Sequence, residues 1–472
     1  MEILRKKRIP QRNRVAALAL AALTATTLVS CGGNEGEADS EGQSIVVQTT
    51  DTIPDRVAAT EEIIAGFEEE TGIQVELVGV AEDQFNQVLT SGAAAGDLPD
   101  VIGSIGLTQV RTLGANDLVN TQAVQEVLET LGEETFSERA LELNRDGEEL
   151  LAIPSESWLQ LLYYRTDLFE EAGLAAPETY EDILAAAEAL DSPEMAGFVG
   201  ATAPGDAFTQ QTIEHVALGN GCEMVNEAGE VIFNSPECIG ALDFYGNLIQ
   251  NYSVSGAQDV DTVRANYFAG EAAMFIWSTF VLDEMAGLRN DALPTCPECA
   301  DNPAFLAENT GVVPAIVGPD GSDPAQFGQI TNWTITASAN TEPAKQFVEY
   351  MMSDGYVDWL AIAPEGKVPV RAGTAESPTE FADAWQTLPV GVDTKAPLQD
   401  FYSDDVLQAL QTGVDNLLLW GIPQGQGDLA GAALGELPIA QAVADVANGG
   451  ADPAAAAEQA AATLQSIQDS LE

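Results

Sequence analysis

Residues 270–280 combine an apolar strand pattern with side chains that can bind a ligand. The stretch reads GEAAMFIWSTF, and it ends with Trp277, Ser278 and Phe280. An aromatic ring offers an apolar face, and a hydroxyl both donates and accepts hydrogen bonds. The stretch can therefore be plain core, a membrane contact or the floor of a pocket, and the rest of the chain must decide between these.

Side chains that commonly carry catalysis or bind metal ions are scarce. His215 is the single histidine, so a histidine-rich metal site is impossible, and we expect this residue on a helix surface or in the core. No phosphate-binding loop is present. We therefore expect no metal and no cofactor.

The first 43 residues predict export. The basic start MEILRKKRIPQRNR precedes a short apolar run, which is typical of a secretory signal over residues 1–30. LVSC at residues 28–31 resembles a bacterial lipobox, in which Cys31 is acylated; a plain signal with an incidental cysteine is the alternative. Residues 31–43 are rich in glycine and acids, so we expect a flexible tether. Membrane contact is then expected only through this lipid anchor.

The four cysteines after Cys31 predict disulfides, because an exported chain meets an oxidising environment. Four cysteines allow three connectivities, and we expect Cys222–Cys238 and Cys296–Cys299. The second pair, in CPEC, could instead be a redox or zinc motif, but it lies in a proline-rich loop without a preceding strand.

The charge excludes two classes of partner. Without residues 1–30 the chain keeps 11 basic and 74 acidic side chains, a net charge of −63, and only three of the basic residues are lysines. Such a surface repels nucleic acid and anionic lipid. We expect a protein that stays in solution as a monomer beyond its anchor.

Strands and helices alternate in the first part of the body, which predicts an α/β fold with a largely parallel sheet. A buried strand at 44–50 is followed by a helix that we expect to begin at Thr60 and end at Gly72. An alternating strand, a helix at 82–94 and the short strand DVIGS follow.

Later segments repeat the alternation. Thr179 is expected to cap a helix, with Asp182 completing a capping box. GEVIF, AAMFIW and NWTITAS read as strands, and the end of the chain as helices at 404–420, at 436–447 and after Pro453.

Seven segments, in order, resemble the extracellular solute-binding proteins of ABC importers, specifically the carbohydrate-type group that includes maltodextrin binders. They are the lipobox, FEEETGIQVELVGV, GAAAGDLPDVIGS, IPSESWLQLLYYRTDLFEEAGLAAPETYEDIL, FAGEAAMFIWSTF, NWTITASANTEPAKQFVEYMMSDG and GKVPVR. The resemblance covers nearly the whole chain after the signal. It implies two α/β lobes with a ligand cleft between them and several hinge crossings.

The resemblance also implies lobe boundaries and partners. One lobe would hold residues 44–153 and 325–365, and the other residues 154–324 and 366–472. The chain would bind a sugar outside the membrane and deliver it to the permease subunits of an ABC importer.

A sugar site needs aromatic faces beside hydrogen-bonding groups, and the resemblance assigns several candidates. Besides the end of 270–280, they are Glu156 and Trp158 at a lobe crossing, Asp206 and Phe208 in PGDAFTQQ, and Trp333 at the start of a returning strand.

Asp51 and Ser104 follow strands, at the ends where open α/β sheets bind ligands. Arg371 either binds the ligand or pairs with one of the many carboxylates. The family loop that often carries an aromatic residue near the chain end reads GIPQGQGDLAG here, which favours a small ligand.

Two alternatives stay open. The same fold could bind a polyamine or a polyol phosphate, although a phosphate calls for more basic residues than this chain has. A secreted glycoside hydrolase needs only two suitably spaced carboxylates. The chain after the signal has 74 acidic residues, so the sequence does not exclude such a pair.

Overall fold

The computed structural model describes residues 43–471, so the predicted signal, Cys31 and nearly all of the predicted tether lie outside the described residues. The strands are β1 Ser44–Thr49, β2 Gln74–Gly79, β3 Val101–Ile105, β4 Arg145–Asp146, β5 Glu149–Leu150, β6 Ile153–Arg165, β7 Met274–Ser278, β8 Thr310–Val313, β9 Gly328–Ile335, β10 Val368–Pro369, β11 Pro389–Val390 and β12 Ala396–Pro397.

Helices surround these strands and close the chain. They are α1 Pro54–Thr71, α2 Glu82–Ala95, α3 Leu107–Ala115, α4 Thr121–Leu131, α5 Glu138–Leu143, α6 Thr166–Ala172, α7 Tyr180–Leu190, α8 Ala207–Leu218, α9 Pro236–Tyr252, α10 Val260–Phe268, α11 Leu282–Met285, α12 Phe305–Glu308, α13 Thr341–Met351, α14 Tyr356–Leu360, α15 Glu380–Gln386, α16 Asp404–Thr412, α17 Gly427–Glu436, α18 Pro438–Ala447 and α19 Pro453–Leu471.

Strand β6 belongs to two sets of partners. Its first half pairs antiparallel with β9, from Ile153 opposite Trp333 to Leu159 opposite Gly328, and also with β10. Its second half, from Gln160 on, pairs antiparallel with β7 and β8. A single strand of 13 residues therefore connects two groups of strands.

The strands that join the first half of β6 form a sheet in the order β10-β6-β9-β3-β1-β2. Strand β1 is parallel to both β2 and β3, while β9 is antiparallel to β3. The parallel strands β1 and β3 bring their carboxyl ends to the same edge, where ligands bind in open α/β sheets. Thr50, Asp51 and Ser104 lie at that edge.

Several elements predicted from the sequence are confirmed. Thr179 caps α7 by accepting a hydrogen bond from the Asp182 backbone N–H at 3.1 Å. Both expected disulfides are present, Cys222–Cys238 and Cys296–Cys299. The predicted strands at 44–50, DVIGS, AAMFIW and NWTITAS correspond to β1, β3, β7 and β9.

Other boundaries were wrong. Helix α1 begins at Pro54 rather than at Thr60, because proline suits the first turn of a helix, where its missing N–H costs nothing. GEVIF forms no strand in the described chain beyond a single bridge from Val225 to Val231. The predicted helix at 404–420 ends at Thr412, and α17 was missed because its glycines mark it as a loop.

Within residues 43–471 no single helix is long and apolar enough to cross a membrane, and α17 with α18 passes that test only as a pair bent by 50°.

Helix α8 is buried on nearly every side, and it carries a buried carboxyl group. Glu214 Oε1 accepts a hydrogen bond at 2.9 Å from the Trp420 backbone N–H, which ties α8 to the C-terminal part of the chain. Burial raises the pKa of Glu214 to about 8. The folded protein therefore holds this group protonated at neutral pH.

We predict that Glu214→Gln reduces the loss of stability as pH rises. The unfolded chain releases the Glu214 proton above about pH 4.5, whereas the folded chain keeps it to about pH 8. Between these values the wild type loses up to about 1.4 kcal/mol per pH unit through this group, and the glutamine variant loses none of it. Urea unfolding at pH 5, 6.5 and 8 measures the difference.

The control is Glu188→Gln, which changes an exposed carboxylate on α7 and should follow the wild type at every pH. A constant difference between wild type and the Glu214 variant from pH 5 to pH 8 would contradict the prediction.

Candidate functional site

Two adjoining cavities lie where β6 passes between its two sets of partners. The first, called here the polar pocket, has a volume of about 430 Å³. It is lined by Thr50, Asp51, Thr52, Ile53, Arg56, Ala81, Ser104, Gly106, Gln109, Glu156, Trp158, Phe280, Gln329, Thr331, Ala363, Gly366 and Lys367.

The second cavity, called here the aromatic pocket, has a volume of about 360 Å³. Its lining residues are Trp158, Asp206, Phe208, Gln211, Val260, Trp277, Ser278 and Phe280. The two pockets share Trp158 and Phe280, whose ring centroids lie 6.5 Å apart. These two rings therefore form the boundary between a polar and an aromatic compartment of one cleft.

The ends of β1 and β3 build one wall of the polar pocket. The Thr50 hydroxyl donates to the Ser104 carbonyl at 2.6 Å, which joins the two strand ends. Ser104 has a φ of 55°, in the left-handed region that costs a non-glycine residue energy and that is enriched at functional sites. Asp51 lies 3.8 Å from the Arg56 guanidinium, so its charge is partly balanced.

Two amide side chains complete this wall. A Cβ atom on Gly106 would lie 3.1 Å from Gln109 Oε1 and 3.6 Å from Gln329 Oε1, so both amides converge there. Among the residues that the structure describes, neither side-chain amide has a hydrogen-bond partner. Each amide can donate and accept hydrogen bonds, and both are available to a ligand.

Glu156 lies in a closed triangle with a lysine and a tryptophan. Lys367 Nζ donates to Glu156 Oε1 at 2.6 Å, and Trp359 Nε1 donates to Glu156 Oε2 at 2.8 Å. The same Lys367 Nζ lies 3.7 Å from the centroid of the Trp359 ring, within the range of a cation–π contact. Glu156 is 2% exposed, so its carboxylate is almost entirely desolvated.

The charge of Lys367 decides the ionisation of Glu156. Burial acts to raise the pKa of Glu156, but the charge and hydrogen bond of Lys367 act against it, and the pKa ends below its usual value. Glu156 is therefore a carboxylate, and the pair is an ion pair rather than two neutral groups.

The aromatic pocket is held together by backbone contacts of its polar residues. Asp206 caps α8, since its Oδ1 accepts from the Phe208 N–H at 3.0 Å, and its Oδ2 accepts from the Val260 N–H at 2.9 Å. Trp277 Nε1 donates to the Val260 carbonyl at 3.3 Å. The Phe208 and Trp277 rings lie 5.5 Å apart. The rings are thereby fixed as an apolar surface beside a polar cap.

Close approach of two segments shapes the boundary between the pockets. A Cβ atom on Gly366 would lie 2.0 Å from the Phe280 ring, so only glycine lets the segment before Lys367 pack against this ring. On the other side, Trp158 packs edge-on against Phe327 at 5.8 Å. Both boundary rings are therefore positioned by the packing around them.

The structure places nine of the eleven predicted site residues in these two pockets. They are Asp51, Ser104, Glu156, Trp158, Asp206, Phe208, Trp277, Ser278 and Phe280. The stretch 270–280 is thus both core and pocket wall, since Met274 is fully buried while Phe280 remains half-buried in the cleft.

Two predicted residues lie in the core instead. Trp333 is 1% exposed, and its ring covers Gly103, where a Cβ atom would lie 2.0 Å from it. Trp333 lies two residues after Thr331 and four after Gln329, so strand alternation gives the three one face. The rings of Phe347 and Trp359 cover Trp333 at 5.8 and 5.1 Å, which closes it off from the cleft.

Arg371 is the other correction. It is 3% exposed, and its guanidinium donates to the Leu131 carbonyl at 2.7 Å, to the Thr135 hydroxyl at 3.0 Å and to the Met352 carbonyl. It lines neither pocket, and none of these hydrogen bonds goes to a carboxylate. Two backbone carbonyls and one hydroxyl satisfy its donors instead.

The sequence analysis missed several residues that line the polar pocket, above all Lys367. Only three lysines follow the signal, and this one lies in GKVPVR, the same motif from which Arg371 was chosen. A charged residue that is rare in an acidic chain was a usable signal. Nothing in the local sequence marks Gln109, Gln329 or Thr331, which tertiary contacts bring to the pocket.

The possible metal ligands and His215 can be placed within residues 43–471. No group of three or more histidine, cysteine or acidic side chains there could hold a metal ion. His215 is fully buried, its Nδ1 accepts from the Phe327 backbone N–H at 3.2 Å, and burial lowers its pKa to about 3. It is a neutral core residue, one of the two positions that we expected.

The chain belongs to the family of bacterial extracellular solute-binding proteins, whose model matches residues 50–358. A similar relative is a putative ABC transporter periplasmic-binding protein, YcjN, of Escherichia coli strain K12. It is 28% identical over 365 residues, which cover 75% of this chain and 80% of the relative. The resemblance read from the sequence is confirmed.

Solved structures confirm the fold. The sugar-binding protein MalE from Xanthomonas citri has a TM-score of 0.68 at 18% identity and covers 90% of this chain and 97% of its own. A cyclic alpha-maltosyl-1,6-maltose binding protein from Arthrobacter globiformis has a TM-score of 0.65 at 15% identity. The match covers 90% of this chain and 99% of that protein. The chain has the two-lobed α/β fold of these proteins.

We predict that Lys367→Met destabilises the protein strongly, by about 3–5 kcal/mol, because it leaves the desolvated Glu156 carboxylate unpaired. The double variant Glu156→Gln/Lys367→Met should recover most of this loss, since no buried charge remains. Urea unfolding at pH 7 measures both.

Lys345→Met is the matched control, because it removes a lysine whose partner, Glu126, keeps 40% of its side chain exposed to solvent. We expect little change there, since solvent screens the remaining carboxylate. Equal losses for the two single variants would show that the burial of Glu156 is without consequence.

Proposed function

We propose that this protein captures a neutral sugar of one or a few rings outside the membrane and delivers it to an ABC importer by closure of its cleft. The carrying observation is the combination of a charge-balanced polar pocket with an aromatic pocket. Hydroxyl groups of a sugar need hydrogen-bonding partners, and its apolar C–H faces need aromatic surfaces.

The balance of charge in the polar pocket favours a neutral sugar over a polyamine or a polyol phosphate. Among the described lining residues of the polar pocket, Asp51 is near Arg56 and Glu156 pairs with Lys367. Two acids thus meet two bases, in a chain that carries 75 acids against 17 lysines and arginines. A polyamine would need unpaired carboxylates, and a polyol phosphate would need unpaired cations.

Similar proteins support the same class of ligand. Structures of proteins with this fold contain laminaribiose, maltose and ribitol. All of these are neutral polyhydroxyl compounds, although identities of 17–18% carry the fold alone. The pockets of this chain, rather than the likeness, are the reason to expect such a ligand here.

Closure would bring together the two groups of strands that β6 connects. The lobes would be residues 44–153 with 325–365 and residues 154–324 with 366–472, as expected from the resemblance. Asp51 and Ser104 would then come from one lobe and the aromatic pocket from the other.

We further propose that Cys31 is lipidated, that the protein works as a monomer on the outer face of the membrane, and that it has no hydrolase activity.

The test is calorimetric titration of the purified protein with maltose, laminaribiose, ribitol, spermidine and glycerol 3-phosphate. We expect at least one neutral compound to bind with a micromolar or lower Kd, and the charged ones not to bind. Binding of spermidine alone, or hydrolysis of a bound sugar detected by chromatography, would overturn the proposal.

We predict that Trp158→Ala weakens binding of the identified sugar at least tenfold, which corresponds to about 1.4 kcal/mol. This ring faces both pockets, and truncating a buried aromatic contact at the centre of a site is usually costly. Tyr350→Ala, on α13 and outside both pockets, is the control and should leave the Kd unchanged. Equal affinity of Trp158→Ala and wild type would place the sugar elsewhere.

A further inference from the structure

We propose that Lys367 determines the specificity of the cleft, as a fixed ammonium group that donates a hydrogen bond to a hydroxyl of the sugar and rejects any ligand with a positive charge at that position. The inference rests on the proposed function, and it adds that Lys367 is the residue that selects between ligands. Glu156 and Trp359 are positioning residues in this arrangement.

The geometry leaves Lys367 one free direction. An ammonium group has three N–H donors and no acceptor. One donor is used by Glu156 Oε1 at 2.6 Å, and the Trp359 ring lies on another side at 3.7 Å from Nζ. Lys367 also lines the polar pocket and is 8% exposed, and in the proposed arrangement its remaining donor serves a ligand there.

The position of the ammonium is held by the protein rather than by the ligand. Trp359 Nε1 donates to the second Glu156 oxygen, so the carboxylate cannot turn away from Lys367. The backbone adds a further constraint, because Pro369 in β10 is paired with Glu156 in β6. A flexible lysine side chain is thereby ordered before any ligand arrives, and the ligand does not bear that entropy cost.

The ion pair also occupies the buried Glu156 carboxylate, so that it is not free to bind a cationic ligand. Both oxygens of Glu156 accept hydrogen bonds from the protein, and the residue is almost fully buried. A ligand therefore meets the ammonium group and not the carboxylate. The chain has a formal net charge of −58, so its surface attracts cations. The fixed ammonium group of Lys367 repels a cationic ligand inside the cleft, against this general attraction.

The experiment compares the neutral sugar identified above with its monoamino derivatives, in which one hydroxyl at a time is replaced by an ammonium group. In the wild type, one derivative should bind at least about 100-fold more weakly than the parent sugar, because like charges in a desolvated site repel strongly. In Glu156→Gln/Lys367→Met that ratio should fall below about tenfold, as the repelling charge is absent.

The double variant is chosen because Lys367→Met alone leaves a buried charge, and circular dichroism and thermal unfolding confirm its fold. Lys367→Arg keeps the charge and should keep the rejection of the amino derivative. Lys395→Met removes an exposed lysine outside both pockets, and its selectivity should match the wild type.

The outcomes separate the two proposals. If the wild type binds no neutral sugar, both are overturned. If the wild type binds the sugar while the folded double variant keeps the same selectivity ratio, the proposed function stands and the role of Lys367 is overturned. A loss of parent-sugar affinity without any change in the ratio would also overturn it, because a merely structural lysine would produce that result.

Discussion

The site depends on one constraint, the continuity of strand β6 across two groups of strands. Every backbone polar group of a buried strand needs a partner, and β6 finds partners in β9 and β10 over its first half and in β7 and β8 over its second. The change of partners falls after Leu159. Residues just before it, such as Glu156 and Trp158, therefore lie where two surfaces meet and a cleft can form.

Polar groups at this junction are tolerated because each has a specific partner. A buried carboxylate without a partner would cost several kcal/mol, yet Glu156 is bonded through both oxygens. The same triangle fixes a cation at the pocket wall. The same three side chains, Glu156, Lys367 and Trp359, thus pair a buried acid and offer a hydrogen-bond donor to the cleft.

The aromatic residues divide into two groups by packing rather than by sequence. Trp333, Trp359 and Trp385 are nearly fully buried, and they fill space between helices and the sheet. Trp158 keeps part of its ring accessible, because its neighbours Phe280 and Phe327 pack at its edges and leave the cleft side open. The resemblance placed Trp158 at a lobe crossing, but it assigned Trp333 to the cleft as well, and packing buries that residue.

Sequence analysis predicted the α/β class, the family, both disulfide pairs and nine of the residues that line the pockets. The fold class follows from strand and helix periodicity and from capping residues. The family and most of the pocket residues come from the resemblance that the ordered motifs carry. The positions after strand ends could be predicted for the same reason, since parallel strands place their carboxyl ends at one edge.

Contacts between distant parts of the chain select which charged and aromatic residues face the cleft. Lys367 and Arg371 are four residues apart in one motif, yet the first reaches the cleft and the second donates to carbonyls in the core. Trp333 and Thr331 share strand β9, and the packing of Phe347 and Trp359 buries the first while the second lines the pocket. Long-range register and packing make these choices, because each depends on a partner that is distant in the sequence.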